Sequence, residues 1–334
     1  MKVLFIRFSS LGDVLLTTPI IRTFRIHFSN AEIHFLTKSQ FSQLLENNPN
    51  VDNILRFNPT TETMLQLIIR LQKEHYTYII DLHGKLRSGL IKQFVNGKTY
   101  TYDKKHAYRK KLLKDHSLEP IASTVDLYAS VLTSFDIELK SRKLDLYLPK
   151  NSEAITGIFL PNMNRKLIVT ISPGASWFTK QYPAEYYKAL IKMIVERYDV
   201  HIVLIGTEDE KELTFELAKT ADNNITDLGG RTSLMETAVI IDRSDVFISG
   251  DCGPMHMAAA LGKPQIALFG PTHPILGFSP INDNAVVLSV DAECSPCSLH
   301  GQQQCPFGHF NCMKEIRPER VFSEITKLLK TKSS

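Results

Sequence analysis

Four short polar stretches carry the side chains from which a group-transfer site could be built. Asp13 closes the turn Ser9-Ser10-Leu11-Gly12-Asp13, which follows the apolar run Lys2 to Phe8. A carboxylate there suits a helix start, and it also lies where an open α/β sheet presents its ligands. Pro173 to Lys180 offers the hydroxyls of Ser176 and Thr179 and the point charge of Lys180, a set that fits a diphosphate. Gly206 to Glu210 brings Glu210 within reach of ribose hydroxyls, with helix capping as its plainer role. Asp251-Cys252-Gly253-Pro254-Met255-His256 joins an apolar run to a small-residue helix. Pro254 fits the first helical turn, whose free N–H groups suit an anion, and His256 sits one turn in. A lone base opposite a diphosphate leaving group suits one displacement at a sugar carbon, with inversion. Retention would need a second, nucleophilic group.

Strands alternating with helices must position these groups. The apolar runs Lys2 to Phe8, Ile33 to Leu36, Asn53 to Phe57 and Tyr76 to Leu82 predict strands. Helices are expected over Val14 to Phe28, kinked at Pro19, and over Ser39 to Glu46, Thr61 to Glu74 and Thr124 to Ser134. Turn residues Asn151, Pro161, Asn162 and Asn164 interrupt the rhythm. A second alternation then begins: strands Lys166 to Ser172, His201 to Gly206, Ile225 to Leu228, Val246 to Ser249 and Gln265 to Phe269, with helices Ala184 to Arg197, Asp209 to Ala221 and Ser233 to Asp242. Tandem α/β units would leave a cleft between their carboxyl edges. The expected domains are residues 1–160, 161–315 and a terminal helical segment 316–334.

With 334 residues, 43% hydrophobic and 22% charged, the composition is that of a globular protein with sizeable cores. No apolar stretch reaches membrane-spanning length, and a cytoplasmic location is expected. Lys104, Lys105, Arg109, Lys110, Lys111 and Lys114 form a basic run suited to anionic lipid headgroups or an acidic glycan. No recognised nucleic-acid-binding motif accompanies it. Cys294, Cys297, Cys305 and Cys312 are bunched, which fits either a structural zinc or reduced, packed thiols, with His300 and His309 as substitute ligands. The turn after the first strand lacks G-x-G-x-x-G, which argues against a nicotinamide-dependent oxidoreductase.

The stretches IRFSSLGDVLLTTP, DLHGKLRS, SPGASWFTKQYP, LGGRTSL, GDCGPMHMAAALGKPQIALFGPTHP and CSPC together resemble glycosyltransferase family 9, the ADP-heptose:lipopolysaccharide heptosyltransferases. The resemblance spans nearly the whole chain. It implies a GT-B fold of two Rossmann-like domains, with the C-terminal helix crossing back to the first. It also implies an inverting transfer of heptose from ADP-heptose to the Kdo/heptose inner core of lipopolysaccharide at the inner face of the inner membrane. The alternative is another sugar moved to a cell-surface glycan. On this resemblance Asp13 is the base; Ser176, Thr179, Lys180, Glu210, Asp251, Cys252, Gly253 and His256 meet the donor; Ser10 and Arg87 meet the acceptor. Glu208 is the lesser candidate for the ribose contact. Cys252 replaces the usual threonine, so a backbone contact survives there while a hydroxyl contact weakens. No metal ligand is assigned and no cofactor is required, with a divalent cation and a structural zinc left open.

Overall fold

The computed structural model describes residues 1–161, 167–221 and 224–331. The expected turn residues Asn162 and Asn164, the expected strand start Lys166 and the terminal residues 332–334 lie outside the described residues. The chain divides into a first unit of residues 1–105 and 122–147 and a second of residues 106–121 and 148 onward.

The first unit is built on β1 (Lys2–Ile6), β2 (Glu32–Lys38), β3 (Asn53–Phe57), β4 (Tyr78–Asp81) and β5 (Lys98–Thr101). All pairings are parallel, in the order β3-β2-β1-β4-β5. Val3, Leu4, Phe5 and Ile6 of the central strand are fully buried, as expected where helices cover both faces of a parallel sheet. From β1 the chain moves outward through β2 and β3, then returns to the other side of β1 for β4. The crevice at the carboxyl ends of β1 and β4 is therefore the topological switch point, the ligand position in such sheets. Asp13 follows β1, and Leu82 to Lys85 follow β4. The expected long helix after β1 is two helices, Leu11–Leu15 and Thr18–His27, with Pro19 in the first turn of the second. Proline is tolerated there and would cost an internal hydrogen bond further in.

The second unit carries β6 (Leu167–Ser172), β7 (Val200–Gly206), β8 (Ile225–Gly229), β9 (Val246–Gly250), β10 (Gln265–Leu268) and β11 (Ala285–Leu288). Its order is β11-β10-β9-β6-β7-β8, again wholly parallel. The switch falls between β6 and β9. Pro173 to Lys180 follow β6 there, and Asp251 follows β9. Ser233 caps the helix Leu234–Arg243 through a capping box with Glu236, as its sequence pattern predicts.

Two expectations about boundaries are corrected. The helix Ser152–Phe159, hidden among turn residues, belongs to the second unit, where Thr156 Oγ1 accepts a hydrogen bond from Arg243 at 3.1 Å and Glu153 pairs with the same guanidinium. The division therefore falls before Leu148 rather than after residue 160. The terminal helix Pro318–Thr331 was expected on the first domain. Instead its stripe of Val321, Ile325 and Leu329 is buried in the second unit's core with Leu190, Ile194 and Ile266.

Candidate active site

Asp13 stands at the first switch point in the capping turn of the helix Leu11–Leu15. Its Oδ2 accepts hydrogen bonds from the Ser10 amide at 3.0 Å and the Ser10 hydroxyl at 2.8 Å, and it pairs with Arg7 Nη2 at 2.6 Å. Among the described residues its Oδ1 accepts one hydrogen bond, from the Tyr128 hydroxyl at 3.2 Å. A carboxylate oxygen has two lone pairs, so Oδ1 keeps capacity for a further proton while Oδ2 is saturated. Burial alone would raise the Asp13 pKa. The Arg7 charge and the Ser10 hydrogen bonds outweigh it and hold the carboxyl below the usual range. Arg7 is itself fixed by donating from Nη1 to the Leu82 carbonyl at 2.7 Å, which ties the β1 and β4 loops together. Ser10, expected on the acceptor side, thus also holds the carboxylate in place. Arg87 lies exposed in the first turn of the helix Leu86–Phe94.

At the second switch point Lys180 Nζ meets Asp251 Oδ2 at 2.8 Å, with the two side chains only 15% and 11% exposed. Thr272, just past β10, donates to the same Oδ2 at 2.7 Å. Asp251 is thereby committed to orienting Lys180, and the ammonium keeps donors for a second partner. The loop approaches closely because Gly250 has no side chain: a Cβ there would stand 2.7 Å from the Lys180 carbonyl. Gly301, at φ +93°, lets another loop lie on the Lys180 stem. The helix Gly253–Ala260 starts beside this pair, with Cys252 at its N-cap and Pro254 in its first turn. Burial pushes the Cys252 thiol up to about 11, so it stays neutral next to an anion site. His256 is buried one turn in.

The remaining donor-side expectations divide. Glu210 lies at the carboxyl edge of β6, where a Cβ on Gly174 would fall 2.1 Å from its Cδ, and its Oε2 accepts a hydrogen bond from the Thr207 amide at 2.8 Å. Glu208 pairs outward with Lys211. Ser176 is exposed. Thr179 is corrected from a hydroxyl offered to a ligand to a loop anchor. It is buried, with Oγ1 donating to the Gln302 carbonyl at 3.1 Å and accepting from the Gln302 amide at 2.8 Å.

A family model described as glycosyltransferase family 9 (heptosyltransferase) matches residues 64–309. The chain belongs to glycosyltransferase family 9. Lipooligosaccharide heptosyltransferase 2 of Campylobacter jejuni is 26% identical over 324 residues, covering 96% of each chain. Among solved structures, an E. coli ADP-heptose lps heptosyltransferase II superposes with TM-score 0.78 at 22% identity over the full length of both chains. E. coli heptosyltransferase WaaC with ADP gives 0.73 at 20% identity, covering 98% of this chain and 100% of the other. The two parallel α/β units are those of the GT-B fold, and the chain is a glycosyltransferase.

Membership in the family gives the residues missed by the sequence reading a setting. Arg7 is masked inside an apolar strand run, and Tyr128 lies 115 residues from the carboxylate it contacts. Thr272 falls within the quoted stretch GDCGPMHMAAALGKPQIALFGPTHP but was given no role, and Gln302 carries no motif of its own. The basic run is not one surface. Lys104 donates to the Gly84 carbonyl in the first unit at 2.9 Å. Arg109 is buried in the second, its Nε donating to the Leu276 carbonyl at 3.2 Å and its guanidinium 4.5 Å from the centroid of the Phe278 ring. Lys110, Lys111 and Lys114 are exposed. The bunched cysteines are free thiols, with Cys294 Sγ 3.9 Å from His309 Nε2. Burial pushes Cys312 up to about 12. Among the described residues no group of three or more His, Cys, Asp or Glu side chains is disposed to hold a metal ion.

Proposed function

We propose that the enzyme transfers heptose from ADP-heptose to the Kdo/heptose inner core of lipopolysaccharide, with inversion at the anomeric carbon. The observation that carries this reading is Asp13, fixed at a switch point with one carboxylate oxygen still able to take a proton. The acceptor hydroxyl attacks the anomeric carbon, its proton passes to Asp13 Oδ1, and the bond from that carbon to the diphosphate oxygen breaks. The departing charge falls to Lys180 and to the free N–H groups that begin the helix Gly253–Ala260. Glu210 supplies the ribose contact, and Cys252 and Gly253 contribute through their backbone. Relatives named as lipooligosaccharide and lipopolysaccharide heptosyltransferases, and a structural neighbour named for ADP-heptose, support the choice of sugar and acceptor. The test is mass spectrometry of the product after incubating the protein with ADP-heptose and defined Kdo-lipid and heptosyl-Kdo-lipid acceptors. An added mass of one heptose is expected. Transfer from another nucleotide sugar, with none from ADP-heptose, would overturn the choice of donor.

The same reading places the enzyme at the inner face of the inner membrane, where its lipid acceptor would be met. No described helix is long and apolar enough to cross a membrane. Lys110, Lys111 and Lys114, exposed on and just beyond the helix His106–Leu112, supply an electrostatic attachment. Each basic residue near an anionic surface contributes about 1 kcal/mol. Changing all three to glutamine is expected to weaken partitioning onto phosphatidylglycerol vesicles by about two orders of magnitude at low salt. Transfer to a short, soluble acceptor should be unchanged. Unaltered vesicle binding would remove these lysines from the attachment.

A further inference from the structure

The first switch point carries more positive charge than its carboxylates neutralise. Asp13 is taken by Arg7 at 2.6 Å, and the fully buried Asp81 by Lys92 at 3.1 Å and by the amides of His83 and Gly84, both at 2.8 Å. Lys85 and Lys104 stand in the same neighbourhood, and among the described residues no carboxylate pairs with either. Lys104 is partly buried and held in place. Its Nζ donates to the Gly84 carbonyl at 2.9 Å, and its stem crosses Gly84, where an added Cβ would lie 3.3 Å from Lys104 Cε. Gly84 has φ +56°, so the residue that leaves room for the lysine also suits the turn. Beside them His83 is 5% exposed, and its Nδ1 finds no hydrogen-bond partner among the described residues. Burial, then Arg7 and Lys85, push Lys104 down to about 8, and burial followed by the same two cations pushes His83 down to about 3. A partly buried, unpaired ammonium beside an unsatisfied neutral imidazole is costly in the free protein, and an arriving anion relieves that cost.

We infer that Lys85 and Lys104, with His83 beside them, form an anion subsite that holds a carboxylate or phosphate group of the acceptor at the β1/β4 switch point. This rests on the reading of Asp13 as the acceptor-side base. The subsite places the negative group of the incoming sugar on the β4 loop, in the crevice that also carries the base after β1. Acceptors without that group lose the contact. Lys85 and Lys104 are specificity-determining residues here, and Asp13 alone receives the proton.

The experiment compares wild type, Lys104→Met, Lys85→Met and Lys104→Arg on three acceptors: the natural Kdo-lipid, its carboxyl methyl ester and its dephosphorylated form. Lys104→Met should raise KM for the natural acceptor about 10- to 100-fold, the usual effect of losing a charge-assisted hydrogen bond. Lys85→Met should act in the same direction, and Lys104→Arg should recover most of the loss. If the anion is the carboxylate, the methyl ester is a poor substrate for wild type and is insensitive to Lys104→Met. If it is the phosphate, that pattern moves to the dephosphorylated acceptor. Equal loss on all three acceptors, or no loss on any, overturns the inference. Unchanged far-ultraviolet circular dichroism and melting temperature report whether the variants, all in the first unit, fold. Calorimetric titration with a soluble Kdo glycoside reads the subsite without turnover, so the subsite stands or falls apart from the role of Asp13: an active Asp13→Asn enzyme would remove the base and leave the Lys104-dependent binding intact.

Discussion

Replacing Asp13 with asparagine is expected to lower kcat about a thousandfold and to change ADP affinity little, because the substitution removes the proton acceptor of the first unit and leaves the donor-binding groups of the second in place. General bases typically contribute 10²- to 10⁴-fold, and here no second described group touches Oδ1 except Tyr128, whose hydroxyl already donates to it. Asparagine keeps an oxygen for the Ser10 amide but leaves Arg7, which is 7% exposed, without its counter-charge. Removing one partner of a buried pair costs about 3 kcal/mol. The control is therefore the double variant Arg7→Met/Asp13→Asn, which should recover thermal stability and stay inactive. The pH profile separates the two roles. With Arg7 present, Asp13 stays ionised to below the ordinary carboxylate pKa of about 4, so it imposes no acid limb on kcat above that value. In Arg7→Met, only the Ser10 hydrogen bonds still oppose burial, so the Asp13 pKa rises and an acid limb should move toward the working range. The depressed pKa also stabilises the fold: that contribution is complete above the unfolded value and is lost as pH falls through the lower folded one. An Asp13→Asn enzyme with wild-type kcat would sink the assignment.

Much of this arrangement could be read from residue order, because a parallel α/β sheet converts position along the chain into position in space. A polar loop after an apolar strand lands on the carboxyl edge wherever the strand sits in the sheet. That is why Asp13, Lys180, Glu210 and Asp251 could all be singled out before any coordinates. What residue order does not encode is the partner across the sheet. Arg7 reads as one more residue of a strand, and only the pairing of β1 with β4 brings its guanidinium to the Leu82 carbonyl while it holds Asp13. Thr179 shows the converse. Its hydroxyl had the right chemistry and place, but burial under Gln302 commits its single O–H donor, the group a phosphate would need. The basic run was legible as charge but not as a surface. Consecutive cations say nothing of which face each will occupy, and the structure sends Lys104 to the first unit, buries Arg109 in the second and leaves Lys110 and Lys111 in solvent. The terminal helix was misplaced because its apolar stripe fixes that it must pack without fixing on what; here the partner is the helix Ala184–Arg197 and the strands beneath it.

Lys180→Met should produce the largest loss on the donor side, and its analysis turns on Asp251. In wild type the ammonium is held at 2.8 Å from Asp251 with both side chains mostly buried, so its position is set before any ligand arrives. Methionine keeps the stem that packs against Gly301 and removes the charge. Two consequences follow, and they can be separated. Among the described residues Asp251 then keeps only Thr272 as a partner, which should destabilise the second unit by about 3 kcal/mol, the low end for a broken buried pair because both side chains retain some exposure. On the proposed reading the departing diphosphate also loses a fixed cation, which should lower kcat/KM by two to three orders of magnitude, since truncating a hydrogen-bonded charge partner costs about 2–5 kcal/mol. Lys180→Met/Asp251→Asn discriminates between them, because it leaves no uncompensated charge at the switch point. Its melting temperature should return close to wild type while kcat/KM stays at the level of the single variant. Lys180→Arg should keep the ion pair and part of the activity, since a guanidinium carries the charge but not the compact geometry. Were the double variant to regain activity together with stability, Lys180 would be a structural cation, and the negative charge of the leaving diphosphate would fall to the amide groups at the start of the helix Gly253–Ala260.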